Sequence, residues 1–378
     1  MNWHGIWDFQ KDPAIRGKIL DEMQAAGITS VRLDFAWAQL EPNKGQYYWT
    51  DLDVRVQEAA DHGMTVLVML YWPAVWASST GVSKKSAPPR DPKEFGNICG
   101  QIGKRYGAKV VGVEMWNEPD LSTFWSGTRQ AFFDMLAGAY PVAKALAPDT
   151  TFVAGAPTYI GLASNWFKDA YAVPTFRPGR SFDAVAIHPY MSPSDLPPDA
   201  PKSNWSVLGI ADLQALRKQA GDTSPLWATE WGWSTHTQPA DTPGYWRGVT
   251  EQQQADYTVK QIEMLEPLGV THSYIYTDCE MAQTPDTSRA STHERYFGSL
   301  RIDYSPKPVM AALKAALVKP PVVEPPTPDV DWVELRVQEL EQKVADLELR
   351  IDSLSEYTAS SFGLVVESLR NLADLLEE

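Results

Sequence analysis

The chain has 378 residues, of which 44% are hydrophobic, and its net charge at pH 7 is −15. This length is sufficient for one large domain plus an appendage. The negative charge argues against nucleic acid or an anionic membrane as the main partner. We therefore expect a globular protein that acts on some other kind of ligand.

Cofactor and targeting signals are lacking. The two cysteines, Cys99 and Cys279, predict no disulfide framework, and no Cys or His cluster has metal-site spacing, so we expect no metal or other cofactor. No apolar run approaches the roughly 18 residues of a membrane span, so we expect no membrane insertion. The first thirty residues carry charges throughout and lack the apolar core of a signal peptide. We expect a chain that is cytoplasmic at synthesis, and its final localisation is left open.

Short apolar runs alternate with amphipathic or alanine-rich segments along most of the chain. The segments predict helices at residues 14–26, 52–62, 92–106, 129–147, 204–220 and 250–268. The runs predict strands at residues 3–9, 30–36, 65–72, 110–117, 151–156, 182–190, 226–233 and 272–277. Eight strand–helix repeats predict an α/β fold, a (β/α)8 TIM barrel over residues 1–318. An open doubly wound sheet is the alternative, but the turn after the first run lacks the glycines that such a sheet uses.

The composition changes abruptly after the predicted barrel. Residues 319–329 contain five prolines and predict a stiff, extended linker. Residues 330–378 then follow a heptad pattern, with Val337 and Val344 at a positions and Leu340 and Leu347 at d positions. This pattern favours a parallel coiled-coil homodimer and leaves a trimer as the second choice. A single amphipathic helix packed against the barrel is the alternative to an oligomer.

Two glutamates stand at the carboxyl ends of predicted strands, where TIM barrels keep their catalytic groups. Glu118 follows the fourth strand in Trp116-Asn117-Glu118-Pro119, and Glu230 ends the seventh. Cleavage of a glycosidic bond requires such a pair of carboxyls, one protonated and one ionised. The apolar neighbours of Glu118 favour a raised pKa, and Arg32 on the second strand could keep Glu230 charged. Taken alone, a strand-end glutamate is more often a solvated surface group.

In these motifs the chain resembles the clan A glycoside hydrolases, which are retaining (β/α)8 enzymes, over about residues 1–317. Asn117-Glu118-Pro119 matches the clan's strand-four motif, and Thr229-Glu230-Trp231-Gly232 matches its strand-seven motif. Within the clan the chain looks most like family 39 and secondarily like family 5, on the segments 31–37, 41–49, 71–73 and 186–190. The resemblance is weak at strand eight, where related enzymes often present a Trp and this chain offers Tyr276 or Asp278. The coiled coil has no counterpart in the clan's motifs.

The resemblance implies a role for each matching residue. Glu118 would be the general acid/base and Glu230 the nucleophile. Asn117 would donate to the sugar 2-hydroxyl, and Arg32 would be the partner of the nucleophile. The other substrate-binding residues expected at the site are His188, Tyr190, Trp37, Trp72, Trp231 and Tyr276, and further tryptophans that could stack on sugars are Trp76, Trp125 and Trp233.

Three functions are compatible with these residues. The first is a retaining glycosidase that cleaves O-glycosidic bonds of a polysaccharide or glycoconjugate, with long loops at residues 78–92, 191–203 and 235–249 favouring endo action. The others are a non-catalytic carbohydrate-binding adhesin on the same barrel and a structural fibre component. An oligomeric hydrolase without a signal peptide suits a bacteriophage lysis or tail enzyme that acts on cell wall or capsule, either virion-associated or released by lysis. An intracellular enzyme for imported oligosaccharides fits almost as well.

Overall fold

A computed structural model of the chain describes residues 1–5, 10–201, 207–281 and 289–318. The predicted linker (319–329) and coiled coil (330–378) lie outside the described residues. Residues Met1–Lys319 form one compact unit.

Seven parallel strands form one sheet in which each strand pairs with the next along the chain. They are β1 Ser30–Ala36, β2 Thr65–Tyr71, β3 Val110–Met115, β4 Thr151–Ala154, β5 Ala184–Ile187, β6 Leu226–Trp231 and β7 Val270–Ile275. These strands correspond to the second to eighth predicted runs. Their sequential order is that of a TIM barrel and excludes a doubly wound sheet, in which the order reverses.

The amino-terminal segment takes the place of the remaining strand, between β7 and β1. The Asn2 amide donates to the Ile275 carbonyl (2.8 Å), and the Trp3 amide donates to the Arg32 carbonyl (2.8 Å). The Arg32 amide donates in turn to the Met1 carbonyl (2.8 Å). Pairing begins at residue 1 and not at residue 3 of the predicted run, because the pairing residues 1–3 are too few to show an alternating pattern. Residues 6–9 of that run lie outside the described residues. With this segment in place the strands enclose a barrel, and the predicted fold is confirmed.

Helices follow most strands and cover the sheet. Within the described residues they are α1 Pro13–Ala25, α2 Trp37–Leu40, α3 Thr50–Asp61, α4 Pro92–Tyr106, α5 Arg129–Leu146, α6 Tyr159–Ala163, α7 Trp166–Ala172, α8 Ile210–Gln219, α9 Glu251–Leu265, α10 Arg289–Arg295 and α11 Pro308–Leu317. Asp12 and Asp91 cap α1 and α4 by accepting from backbone amides of the first turn, and Thr250 begins α9 with a capping box. None of the described helices is long and apolar enough to cross a membrane.

Alternation along the strands separates the two faces of the sheet. In β1, Val31, Leu33 and Phe35 are at most 2% exposed and belong to the apolar layer beneath the helices. Arg32 and Asp34 alternate with them, so their side chains lie on the inner face of the barrel. A second apolar cluster occupies the inner face, formed by Leu67, Val153, Ala156, Ala184, Ala186, Trp227 and Tyr274. The barrel interior is therefore packed with apolar side chains, and the polar residues at the strand ends lie above this layer.

Candidate active site

Polar side chains from several strands meet at the carboxyl end of the barrel. Glu118 follows β3, His188 follows β5 directly, and Glu230 lies in β6. A ring nitrogen of His188 and one carboxylate oxygen from each glutamate all lie within 4.8 Å of one another. His188 Nδ1 is 3.0 Å from Glu118 Oε1 and 3.7 Å from Glu230 Oε2. The structure thus brings the two glutamates and the histidine together, in an arrangement that could also ligate a divalent cation.

Arg32 is buried beside Glu230 and uses all three of its nitrogens. Nη1 donates to Glu230 Oε1 (2.5 Å) and to Asn2 Oδ1 (2.9 Å). Nη2 donates to Asn117 Oδ1 (2.9 Å), and Nε donates to Glu114 Oε2 (2.6 Å). Burial by itself would lower the pKa of the guanidinium, but the charges of Glu114 and Glu230 raise it above its ordinary value. Arg32 is therefore a permanent cation next to Glu230.

The carboxyl of Glu230 is held in its ionised form. Burial by itself would raise its pKa, but the positive charges of His188 and Arg32 oppose that effect. Hydrogen bonds from Arg32 and from Tyr190 Oη (3.3 Å) act in the same direction. The pKa of Glu230 consequently lies below its ordinary value, so the group is an anion in neutral solution and can act as a nucleophile.

The pKa of Glu118 is displaced in the opposite direction, above its ordinary value. Burial raises the pKa of its carboxyl, and the negative charges of Glu230 and Asp120 add to the effect. The hydrogen bond and charge of His188 oppose this shift without reversing it. Two neighbouring carboxyls with pKa values displaced in opposite directions can serve as an acid and a nucleophile in one site.

The backbone around Asn117 adopts strained conformations. Trp116 has a φ of 91° and Glu118 has a φ of 40°, a region that residues other than glycine rarely occupy. The close approach of Gly155, which follows β4, allows this path, since a Cβ there would lie 2.5 Å from the Trp116 carbonyl oxygen. The path directs the Asn117 and Glu118 side chains towards Arg32 and His188. Asn117 Oδ1 is occupied by Arg32, and its amide nitrogen makes no hydrogen bond within the described residues.

Two tyrosines form the side of the cleft next to Glu230. The ring centroids of Tyr190 and Tyr276 are 6.5 Å apart, and both rings pack edge to face against Phe297. Tyr276 Oη donates to Glu294 Oε1 (2.5 Å). Asp278 is completely buried and accepts from Gln10 Nε2 (2.5 Å), so Tyr276 and not Asp278 lines the cleft at the last strand.

The tryptophans divide into open and buried rings. Trp72, directly after β2, is 36% exposed, and its indole N–H donates to Ser83 Oγ (3.2 Å). Trp37 and Trp231 are completely buried, and their indole N–H groups donate to Glu41 and Ser273. The expectation that these two rings stack on sugars was wrong, because both are enclosed by the core beneath the helices. The other enclosed candidates are Trp125 and Trp233.

Three residues of the site were not found from the sequence. Glu114 is completely buried in β3 and accepts from Arg32 and from Thr229 Oγ1 (2.9 Å). Asn2 joins Arg32 to the closing segment, and Glu294 lies on α10 beside Tyr276. Glu114 could have been noticed as a single carboxylate in the apolar run of β3. Nothing in the neighbouring sequence marks Asn2 or Glu294 as site residues.

The fold of this chain is similar to that of three solved structures. A family 39 glycoside hydrolase from Bacteroides cellulosilyticus WH2 has 22% identity and a TM-score of 0.61, covering 80% of this chain and 61% of its own. A monomeric β-xylosidase from Caulobacter crescentus CB15 has 18% identity and a TM-score of 0.58, covering 83% of this chain and 66% of its own. A GH5_18 protein from Bifidobacterium longum subsp. longum has 15% identity and a TM-score of 0.60, covering 86% of this chain and 78% of its own.

The comparison with family models identifies the class. The chain shares its barrel fold with these structures. The model for cellulase (glycosyl hydrolase family 5) matches residues 1–266. The chain therefore belongs to glycosyl hydrolase family 5, within the predicted clan A. Comparison with curated protein sequences gave no match.

Proposed function

We propose that the chain is a retaining glycoside hydrolase in which Glu230 is the nucleophile and Glu118 the general acid/base. One observation carries the proposal: the two carboxylates have oxygens within 4.8 Å of each other and pKa values displaced in opposite directions. Retaining enzymes place their carboxyls about 5–5.5 Å apart, whereas inverting enzymes leave about 6.5–9.5 Å for a water molecule. The short separation favours direct attack by Glu230.

The reaction then proceeds by two displacements. In the first, a Glu230 oxygen bonds to the anomeric carbon while protonated Glu118 gives its proton to the departing glycosidic oxygen. In the second, Glu118, now ionised, takes a proton from water, and the resulting hydroxide displaces Glu230 from the anomeric carbon. The proton and both carboxyls return to their starting states.

The surrounding residues support these steps. We assign to the Asn117 amide nitrogen a hydrogen bond to the sugar 2-hydroxyl, since its oxygen is already held by Arg32. Arg32 and Tyr190 orient the Glu230 carboxylate by hydrogen bonds. His188 orients Glu118, while Trp72 and Tyr276 offer aromatic surface to sugar rings in the cleft.

The assignment is tested by two substitutions that preserve shape. Glu230→Gln is expected to reduce hydrolysis of an aryl glycoside by at least about 10⁴-fold, because no nucleophile is left. Glu118→Gln is expected to slow hydrolysis of poor leaving groups and to be rescued by azide, which attacks the glycosyl-enzyme without needing a base. Glu263→Gln on the exposed side of α9 is the control. Wild-type turnover in either active-site variant, or binding without turnover by the wild type, would exclude the mechanism and favour a carbohydrate-binding protein.

We further propose a polymeric substrate, either a polysaccharide or a glycoconjugate, cleaved at internal bonds. Support comes from the long segments that follow β2, β5 and β6 at the catalytic end, because such loops shape an extended cleft. Product sizes from polysaccharide digests test this proposal. A wide range of early oligosaccharides is expected, and release of monosaccharide alone would indicate exo action.

We also propose that residues 330–378 join two or three catalytic units through a parallel coiled coil, separated from them by the Pro-rich linker. The support is the heptad pattern of that segment. An enzyme mounted on such a stalk suits a phage tail or lysis protein that degrades cell wall or capsule. Detection of the protein in washed, purified virions would support the tail placement. Absence from virions together with appearance in the medium only at lysis would support the lysis protein, and absence from both would contradict the proposal.

A further inference from the structure

An aromatic platform, formed by Tyr71, Trp72 and Phe124, lies where the loops after β2 and β3 leave the barrel. Trp72 is 36% exposed, and Tyr71 and Phe124 are half-buried. The Tyr71 ring centroid lies 6.2 Å from that of Trp72 and 6.1 Å from that of Phe124. Trp72 has a φ of 56°, and such strain at an exposed side chain is typical of a functional site.

The platform adjoins the catalytic residues. Tyr71 is the last residue of β2 and lies on the same inner face as Leu67, four residues earlier. The Phe124 carbonyl accepts from Trp116 Nε1 (2.7 Å), and Trp116 stands two residues before Glu118. A sugar that stacks on the platform is therefore next to the sugar whose bond is cleaved.

An ammonium group lies over this platform. Lys85 Nζ is 4.7 Å from the centroid of the Phe124 ring. The carbonyl of Ser86, the next residue along the chain, accepts from the Ser126 amide (2.8 Å). This bond joins the loop that carries Lys85 to the loop that carries Phe124, so the ammonium stays beside the platform.

The ammonium has no carboxylate partner in the part of the chain that the structure describes, since Lys85 forms no ion pair there. Residues 73–90 contain no acid and three bases, Lys84, Lys85 and Arg90. The neighbouring loop, residues 119–128, contains one acid, Asp120. Its carboxylate accepts from the amide (2.9 Å) and the hydroxyl (2.5 Å) of Thr158. The catalytic carboxyls have their own cations, as described above, so the charge of Lys85 is left for a ligand.

We propose that Lys85 is a specificity-determining residue that selects a uronic acid in the subsite next to the cleaved bond. This inference rests on the function proposed above and names a substrate class for the same cleft. The apolar face of the sugar ring would pack on the aromatic platform. The carboxylate at the edge of that ring would accept a charge-assisted hydrogen bond from Lys85 Nζ, which is stronger than a bond to a neutral hydroxyl.

The test uses glucuronoxylan, alginate and polygalacturonate, each paired with its carboxyl-reduced form. Affinity is measured by calorimetry on Glu230→Gln, because this variant does not consume the ligand. At low salt, at least one acidic polymer is expected to bind on the order of fivefold more tightly than its neutral counterpart. Adding Lys85→Gln should remove this preference by weakening binding of the acidic member, and adding Lys85→Arg should preserve it. Lys84→Gln, at the exposed neighbouring lysine, is the matched control and should also preserve it.

A salt series separates charge selection from a merely structural role. The preference should decline as sodium chloride rises from about 0.02 M to about 0.5 M, because salt screens a partly exposed ion pair. Equal affinity for both members of every pair, or binding of neither, would overturn this inference. The proposed function would then still stand on hydrolysis of aryl glycosides. An equal loss on both members in Lys85→Gln would also overturn the inference. A preference for the acidic polymer without hydrolysis of any glycoside by the wild type would instead show that the proposed function fails.

Discussion

His188 stands between the two carboxyls and influences both of them. Its Nδ1 lies 3.0 Å from Glu118 and 3.7 Å from Glu230. Burial by itself would lower the pKa of the imidazole, but the negative charges of Glu230 and Glu118 raise it. The positive charge of His188 in turn lowers the pKa of each glutamate. One side chain therefore sets the pH range in which Glu118 is protonated while Glu230 is ionised.

His188→Asn is expected to move the pH profile of kcat/KM upwards. Asn keeps a donor near the position of Nδ1 but carries no charge, so the pKa values of Glu230 and Glu118 both rise. The acid limb reports ionisation of Glu230 and the alkaline limb reports deprotonation of Glu118, so both limbs should shift to higher pH by about one unit. His62→Asn, at the end of α3, is the control and should leave both limbs in place. A downward shift of either limb would contradict this account.

Individual site residues could be predicted from the sequence where a motif surrounds them. Residues that reach the site only through contacts with distant parts of the chain could not be predicted. Glu118 and Glu230 stand in motifs with an amide or aromatic neighbours, and these motifs were sufficient to predict that the two lie together at the carboxyl end of the barrel. Glu294 lies in an ordinary helix and becomes notable only because Tyr276 reaches it. Trp37 and Trp231 were misassigned because strand-end tryptophans are buried or open according to which helix covers them, and local sequence does not determine that.

Among the elements, the contact between β3 and β4 fixes the backbone that carries Glu118. A Cβ on Gly155 would lie 2.5 Å from the Trp116 carbonyl oxygen and 2.8 Å from that of Met115. Neither backbone oxygen can move without changing the strained turn at Asn117. The glycine thus acts on the site through the neighbouring strand and touches no substrate.

Gly155→Ala is expected to destabilise the barrel by about 1–3 kcal/mol, the usual cost of overpacking, and to lower kcat at least about tenfold. The loss of kcat follows because the displaced Trp116 carbonyl takes Asn117 and Glu118 out of position. Urea unfolding and steady-state kinetics measure the two effects. Gly17→Ala in α1 is the matched control, since a Cβ there meets nothing within 4 Å and should leave stability equal or slightly increased. Equal free energies of unfolding and equal kcat values for the two variants would show that the contact of Gly155 with the Trp116 carbonyl does not position the site.

Most elements could be predicted because their signals are long. The strands from β1 to β7 begin within two residues of the predicted runs, since most of them are buried apolar segments. The strand β7, in which Thr271 and Ser273 are exposed, is the exception. The short helices α2, α6 and α7 were not predicted, because one or two turns show no periodic pattern. The closing segment was predicted too late in the chain, because its pairing depends on β1 and β7 rather than on its own residues.

For the whole molecule, the negative charge is concentrated in the heptad segment, for which we propose a coiled coil. Residues 330–378 contain twelve acidic and four basic residues, so about half of the net charge lies outside the barrel. The count of strand repeats was sufficient to predict the barrel. The sugar could not be predicted, because it depends on loops that come together only in the folded chain.

Leu347→Glu is expected to convert the oligomer into a monomer. Leu347 takes a d position, and a buried carboxylate at the centre of a coiled coil removes apolar contact and repels its copies. Light scattering on the full chain should give the mass of a dimer or trimer for the wild type and of a monomer for this variant. Activity per chain on a small soluble glycoside should be unchanged. Ala345→Glu adds the same charge at an outward b position and should remain oligomeric, and a monomeric wild type would contradict the prediction.

Arg32 joins groups that emerge from the ribosome at very different times. Glu230 is added to the growing chain 198 residues after Arg32. Until β6 has paired with its neighbouring strands, Glu230 is not held beside Arg32, and Glu118 has no second carboxyl opposite it. A chain that ends before β6 lacks the proposed pair of catalytic carboxyls, so we expect activity to appear only when the barrel is complete.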